Sequence, residues 1–226
     1  MSDEASITVA EAREIVSDAA VWPRLRDLLW NFAPQIHPSW MEGLAIPVAQ
    51  LMPSPRGRRV LLDTLGVEPC FHAFPRNDFS RLLLLDGEML ERLVKWLGAL
   101  AVAGSIRRAT NGEAVRAIKA ALPGVYPEVF GYTMYFKELA GCGSATGDGT
   151  DPVADAKGAA ALGGGMVFAM MADLSAPLAA RLRLKLPKSI GEPAARSDVK
   201  VPLAALRASV ARLLKLKFPE AYSLCC

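Results

Sequence analysis

From Asp86 to Gly104 the apolar positions recur at three- and four-residue intervals. Met89, Leu93, Leu97 and Leu100 fall on one helical face, with Leu90, Val94 and Ala101 beside them. Glu91, Arg92 and Lys95 stand outside that stripe. Asp86 is placed to cap this helix by accepting from backbone N–H groups that lack a partner inside it. Gly104 is the predicted stop. A second start follows at Thr110-Asn111-Gly112-Glu113, a Ser/Thr-x-x-Glu capping box. Val115, Ile118 and Leu122 mark its buried stripe, and Pro123-Gly124 ends it. Pro127 then opens a third helix, which carries Phe130, Tyr132, Met134, Tyr135 and Phe136.

The same signals punctuate the rest of the chain. Thr8-Val9-Ala10-Glu11 opens a helix through about Ala20, and after Trp22-Pro23 a short helix continues over Leu25, Leu28, Leu29 and Phe32. Pro34 and Pro38 make residues 33–40 an extended connection, with Ser39 as cap of a short helix at Trp40. Ser54-Pro55 starts a helix that ends at Gly66. The stretch from Val67 to Ser80 is irregular, pinned to the core by Phe71, Phe74 and Phe79. Pro177 starts another helix, and Pro187 to Arg196 reads as loop. Pro202 opens the last helix, with Leu203, Leu206, Val210, Leu213 and Leu214 on one face.

Composition agrees with these elements. The chain has 30 Leu and 36 Ala against 16 Val, 7 Ile and 6 Thr, which favours helix over strand. The expected fold is all-α, a compact multi-helix single domain. Gly141 to Gly165 holds eight glycines and reads as a flexible connection. It divides the chain into a helical core at 1–140, the connection at 141–165, and C-terminal helices at 166–226 packing on the same domain. Gly158 to Ala172 runs 15 residues without a charge. A membrane span needs roughly 18, so a buried helix is expected there and no membrane insertion.

Charge changes the picture more. The formal net charge is only +3, but residues 181–217 hold ten Lys/Arg and two Asp/Glu, a net of +8. A basic segment on a mildly acidic body implies an acidic partner surface. Arg56, Arg58 and Arg59 form a second basic knuckle in the first turn of the Ser54-Pro55 helix, where the helix dipole disfavours cations. Nucleic acid is the alternative partner for 181–217, but interleaved aromatics and a helix-turn-helix pattern are lacking.

Chemistry is thinly represented. Cys70-Phe71-His72 invites a catalytic or metal reading, yet the chain has only His37 and His72. A set of Cys70, His72, Cys142 and His37 has no ligand spacing to support it, so packing is the reading for Cys70. Gly141-Cys142-Gly143 and Gly163-Gly164-Gly165 precede no Gly-Lys-Ser/Thr and are not phosphate loops. Glu11 and Glu14, like Glu88 and Glu91, make solvated helix faces. Cys225-Cys226 reads as a frayed terminus. The four cysteines and the absence of an apolar leader fit a reduced, cytosolic setting. No enzyme activity and no cofactor are expected.

Arg81-Leu82-Leu83-Leu84-Leu85-Asp86-Gly87, followed by Lys95-Trp96-Leu97-Gly98 and Ala121-Leu122-Pro123-Gly124-Val125-Tyr126-Pro127-Glu128-Val129, resembles the SctK/YscK family of type III secretion. His37-Pro38-Ser39-Trp40 and the run Leu213 to Ala221 are similar to it as well. The resemblance implies a helical, non-enzymatic adaptor of the injectisome sorting platform, peripheral at its cytoplasmic face. It would sit between the cytoplasmic domain of the inner-membrane ring protein and the pod protein, and so connect indirectly to the stator and the ATPase. It supplies no catalytic residues. On the charge pattern, Arg56, Arg58 and Arg59 and the tail residues Arg207, Arg212 and Lys215 are expected to meet acidic partner surfaces.

Overall fold

The computed structural model describes residues 21–70, 78–140, 151–194, 199 and 201–225, and all regular elements among them are helical. In chain order they are α1 (Val21–Trp30), α2 (Val48–Leu51), α3 (Pro55–Thr64), α4 (Gly87–Ile106), α5 (Gly112–Ala121) and α6 (Val129–Tyr132). After these come α7 (Pro152–Met170), α8 (Ala176–Lys185), α9 (Lys188–Ala194), α10 (Leu203–Lys217) and α11 (Pro219–Cys225). Short 3-10 turns cover Ala33–Gln35, Pro38–Trp40, Asp78–Leu84 and Thr133–Tyr135.

The centre of the fold is the α4–α7 pair. α4 is buried on nearly every side between Leu93 and Ala103, as expected of a helix that is apolar all round. Gly98 lies against the Ala159 carbonyl and Gly163 against the Val94 carbonyl, so the two helices run antiparallel. A methyl group at either glycine would overlap the facing backbone. α9 closes on the other side of α7, with Gly164 against Ala194 and Ile190. α5 and α10 also pack on α7, and α11 packs on α10 and on the 3-10 turn Asp78–Leu84.

This arrangement corrects the expected connection over 141–165. Residues 152–165 are the first part of α7, capped by Asp151, whose Oδ1 accepts from Val153 N at 2.9 Å. Within it, Gly163 and Gly164 serve close helix approach instead of flexibility. Residues 141–150 lie outside the described residues, as do the helix expected from Thr8 and the rings of Phe71 and Phe74. The loop expected over 187–196 is α9 through Ala194. It forms because Gly191 fits against the Arg183 carbonyl and the Trp40 ring.

Local signals fared unevenly. Asp86 caps α4, accepting from Met89 N at 2.7 Å, and Ser54 caps α3, accepting from Gly57 N at 2.9 Å. The box at Thr110 is displaced by one residue: Asn111 is the cap, accepting from Glu113 N at 2.9 Å. α4 does not stop at Gly104 but runs to Ile106, which is buried. Pro127 opens no long helix. Ring contacts of Tyr126 with Phe130 and of Trp96 with Tyr132 hold that segment as the single turn α6 and a 3-10 turn. Pro23 sits inside the first turn of α1 and does not interrupt it. Residues 33–40 are two 3-10 turns, and the expected extended chain is confined to Ile36 and His37 between them. Ser39 caps no helix at Trp40; His37 caps the Pro38–Trp40 turn, and the Ser39 hydroxyl accepts from Lys188 N at 2.8 Å. Cys225 is not frayed: it is buried in α11.

Candidate protein-binding surfaces

α10 buries Leu206, Ser209, Val210, Leu213 and Leu214 and carries Arg207, Arg212 and Lys215. Leu203, expected on the buried face, is exposed. Arg207 is half-buried; its guanidinium lies 5.8 Å from the centre of the Phe79 ring, and Nη2 donates to the Met170 carbonyl at 3.5 Å. It packs the interior more than it charges the surface. Arg212 is exposed, donates to the Tyr135 carbonyl and lies 3.9 Å from Glu138. Lys215 is exposed, and Leu216 beside it is 48% exposed. Met134 and Tyr135 are 65% and 50% exposed. Leu216 stands one helical turn beyond Arg212, which holds Tyr135. Arg212 thus joins the exposed turn of Met134 and Tyr135 to the exposed side of α10 that carries Lys215 and Leu216.

The position of α10 is held by Lys217, which the charge count did not single out. Its Nζ is 2.7 Å from Glu128 Oε2, and lies 4.3 Å and 4.7 Å from the ring centres of Tyr132 and Trp96. Burial pulls its pKa down, but the bonds to Glu128 and Tyr132 outweigh that and hold it above the ordinary lysine range. The aromatic run 126–136 was the only signal in the sequence that pointed to such a contact.

The arginine knuckle lies elsewhere. Arg56 is exposed at the start of α3. Arg58 donates to the Met52 carbonyl at 3.2 Å, and Arg59 is 3.0 Å from Asp63 one turn on. Arg58 and Arg59 border a cavity shared with Trp30, which is 57% exposed, and with Arg181 of α8. Arg181 is buried. It donates from Nε to the Leu28 carbonyl at 3.1 Å and from Nη1 to the Pro177 carbonyl at 3.0 Å, and lies over the Phe32 ring. Its pKa is lowered, first by burial and also by the charge of Arg59, with Cys70 acting in the opposite sense. The fold thus joins Arg58 and Arg59 to Arg181, while Arg207, Arg212 and Lys215 pack on other elements.

Much of the basic 181–217 segment faces inward. Besides Arg181, Lys185 is 1% exposed and donates to the carbonyls of Leu83 and Leu85 at 2.5 and 2.8 Å. Burial lowers its pKa to about 7, against a smaller upward pull from Asp86 and a downward one from Arg24. Arg183 and Lys188 both lie over the Trp40 ring. Among the described residues the segment is therefore not a continuous basic face of the kind that tracks a phosphate backbone; Arg196 and Lys200 lie outside them. Lys185 also lines a cleft of about 500 Å³ together with Arg24, Asp27, His37, Asp86 and Glu88.

Of the remaining sequence candidates, Cys70 and His37 are among the described residues. Cys70 is a buried free thiol, and His72 and Cys142 lie outside the described residues. His37 Nδ1 accepts from Ser39 N at 3.2 Å, which leaves the ring proton on Nε2. Among the described residues there is no group of three or more His, Cys, Asp or Glu able to hold a metal ion. Nor is any described helix long and apolar enough to cross a membrane.

A family model described as YscK, Yop proteins translocation protein K, matches residues 27–226, nearly the whole chain. The chain belongs to the YscK family. It is therefore a type III secretion protein, and the resemblance carried by the motifs from Arg81 to Val129 is borne out. No curated protein and no solved structure matches it. In this YscK protein the motif Arg81 to Gly87 has a visible structural role. Leu82, Leu83, Leu84 and Leu85 are all buried, two of their carbonyls hold Lys185, and Asp86 caps the central helix.

Proposed function

We propose that this YscK protein is a non-enzymatic adaptor of the sorting platform at the cytoplasmic face of the injectisome. It joins the cytoplasmic domain of the inner-membrane ring protein to the pod protein, and through the pod to the stator and ATPase. The observation that carries this reading is the exposure of Met134 and Tyr135 and, joined to them through Arg212, of Leu216 and Lys215 on α10. Large apolar side chains rimmed by charge mark protein-binding surfaces, and the charges set orientation and association rate. Each of the two partners requires a surface of its own, and the tail patch and the arginine knuckle belong to different elements.

The test is co-elution of the purified chain with each partner domain, separately and together, at low and moderate salt. A discrete complex with at least one is expected, weakened at least about ten-fold by Met134→Ser with Leu216→Ser. Absence of any complex with folded partners overturns the reading.

A further inference from the structure

The cavity beside Trp30 concentrates positive charge from two distant parts of the chain. Its volume is about 170 Å³, and Arg58, Arg59 and Arg181 line it while Glu68 is the one carboxylate among its lining residues. Arg181 is 2% exposed, and its hydrogen bonds go to the backbone carbonyls of Leu28 and Pro177. Carbonyls orient a guanidinium but do not neutralise it, so among the described residues a buried cation stands at this cavity without a counterion. Arg59 has Asp63 at 3.0 Å, but both are half-exposed, and a pair of that kind exchanges partners at little cost. Among the described residues, Arg58 is held only by the Met52 carbonyl at 3.2 Å.

The apolar side of the cavity is equally specific. Trp30, 57% exposed, is set edge-on to Trp22 at 6.0 Å between ring centres, which steadies it as a platform. The volume is below the roughly 300–1,000 Å³ typical of small-molecule sites, and corresponds to about five or six waters. It suits a single side chain entering from outside.

We infer that this cavity is the docking site for an acidic segment of a protein partner. A Glu or Asp carboxylate of that segment enters toward Arg181 and is met by Arg58 and Arg59, with a neighbouring apolar side chain of the segment laid on Trp30. Guanidinium groups are suited to this because their planar forks match a carboxylate two bonds at a time. The inference rests on the adaptor reading in one respect, that a partner supplies such a segment. It adds Trp30 and Arg181 to the knuckle and names the chemistry that the knuckle recognises.

The experiment titrates the full chain with a dodecapeptide built from Glu, Asp and Leu, at low ionic strength, following tryptophan emission and heat of binding. The counterpart peptide carries Gln and Asn at every acidic position, and inorganic phosphate is the third ligand. The acidic peptide is expected to bind and change the emission, and Trp30→Phe to abolish that change. The neutral peptide should bind at least about ten-fold more weakly, and Arg58→Gln with Arg59→Gln should weaken the acidic peptide by a similar factor. Arg59 is exposed and Arg58 half-buried, and circular dichroism verifies that the double variant keeps its fold. Equal binding by the double variant, equal binding of the neutral peptide, or no binding up to about 1 mM overturns the inference. So does the same emission change with inorganic phosphate, which would make the cavity a general anion site. Co-elution separates the two readings. Partners that still co-elute when the peptide fails leave the adaptor reading standing and remove the site, whereas a bound peptide with no co-eluting partner does the reverse.

Discussion

Gly98 and Gly163 face each other across the crossing of α4 and α7, and neither has room for a methyl group. Overpacking of a buried seam typically costs about 1–3 kcal/mol, and here the obstacle is backbone and cannot rotate away. Gly98→Ala and Gly163→Ala are each expected to lower stability by at least that much in urea unfolding. Gly104, in the same helix, has nothing within reach of an added methyl group. There Ala should stabilise by about 0.5–1 kcal/mol, the ordinary helix-propensity gain. Equal effects at Gly98 and Gly104 would contradict this account of the crossing.

Lys185 makes stability depend on pH. Its pKa is about 7 in the folded chain and about 10.4 when unfolded, so between these values the unfolded chain binds more protons. Stability contributed at this site therefore rises with pH from about 7 to about 10, with a slope of up to about 1.4 kcal/mol per unit, and its penalty is full below pH 7. A neutral amine keeps two N–H groups, enough for the carbonyls of Leu83 and Leu85. Unfolding curves of the wild-type chain and Lys185→Met, compared across this range, should diverge with the wild type gaining. Parallel curves would refute the assignment.

Asp155 is fully buried near the start of α7, and neither carboxylate oxygen has a hydrogen-bond partner among the described residues. An unpartnered buried carboxylate is costly, beyond what the nearby helix N-terminus offsets. Asp155→Ala is expected to stabilise the chain by about 1–3 kcal/mol, read as a higher midpoint in thermal or urea unfolding. A loss of stability would show that the carboxylate is satisfied in solution.

Lys217 tethers α10 between Glu128, Trp96 and Tyr132. Its raised pKa means that this contribution is whole below the unfolded lysine value and is lost as pH rises through the folded one. Lys217→Met should cost about 1–2 kcal/mol at neutral pH. It should also weaken partner binding at Met134 and Leu216, whereas Lys215→Met should leave stability unchanged within about 0.5 kcal/mol. Similar stability losses for the two would disprove the tether.

Reversing Arg212 and Lys215 to Glu tests the tail surface by salt dependence. Association with an acidic partner should slow at least about ten-fold at low salt, with a smaller difference at high salt, in stopped-flow or surface binding. The same pair changed to Gln should fall between. Unchanged rates would remove these two residues from the interface.

The sequence by itself determined the helical class, the caps at Asp86 and Ser54, the buried stripe of α4, and membership of the family through the run from Arg81 to Val129. Each of these depends on residues within a few positions of one another, where propensity and capping act. What the glycines and the cations do was settled only in three dimensions. Gly163 reads locally as linker and is helix because Val94 and Gly98 lie against it. Arg181 and Lys185 read as surface charge and are interior because carbonyls 100 or more residues away satisfy their N–H groups. Close approach and hydrogen-bond satisfaction are properties of what lies opposite in the fold. For the same reason, no pattern along the chain could have joined Arg58 and Arg59 to Trp30 and Arg181.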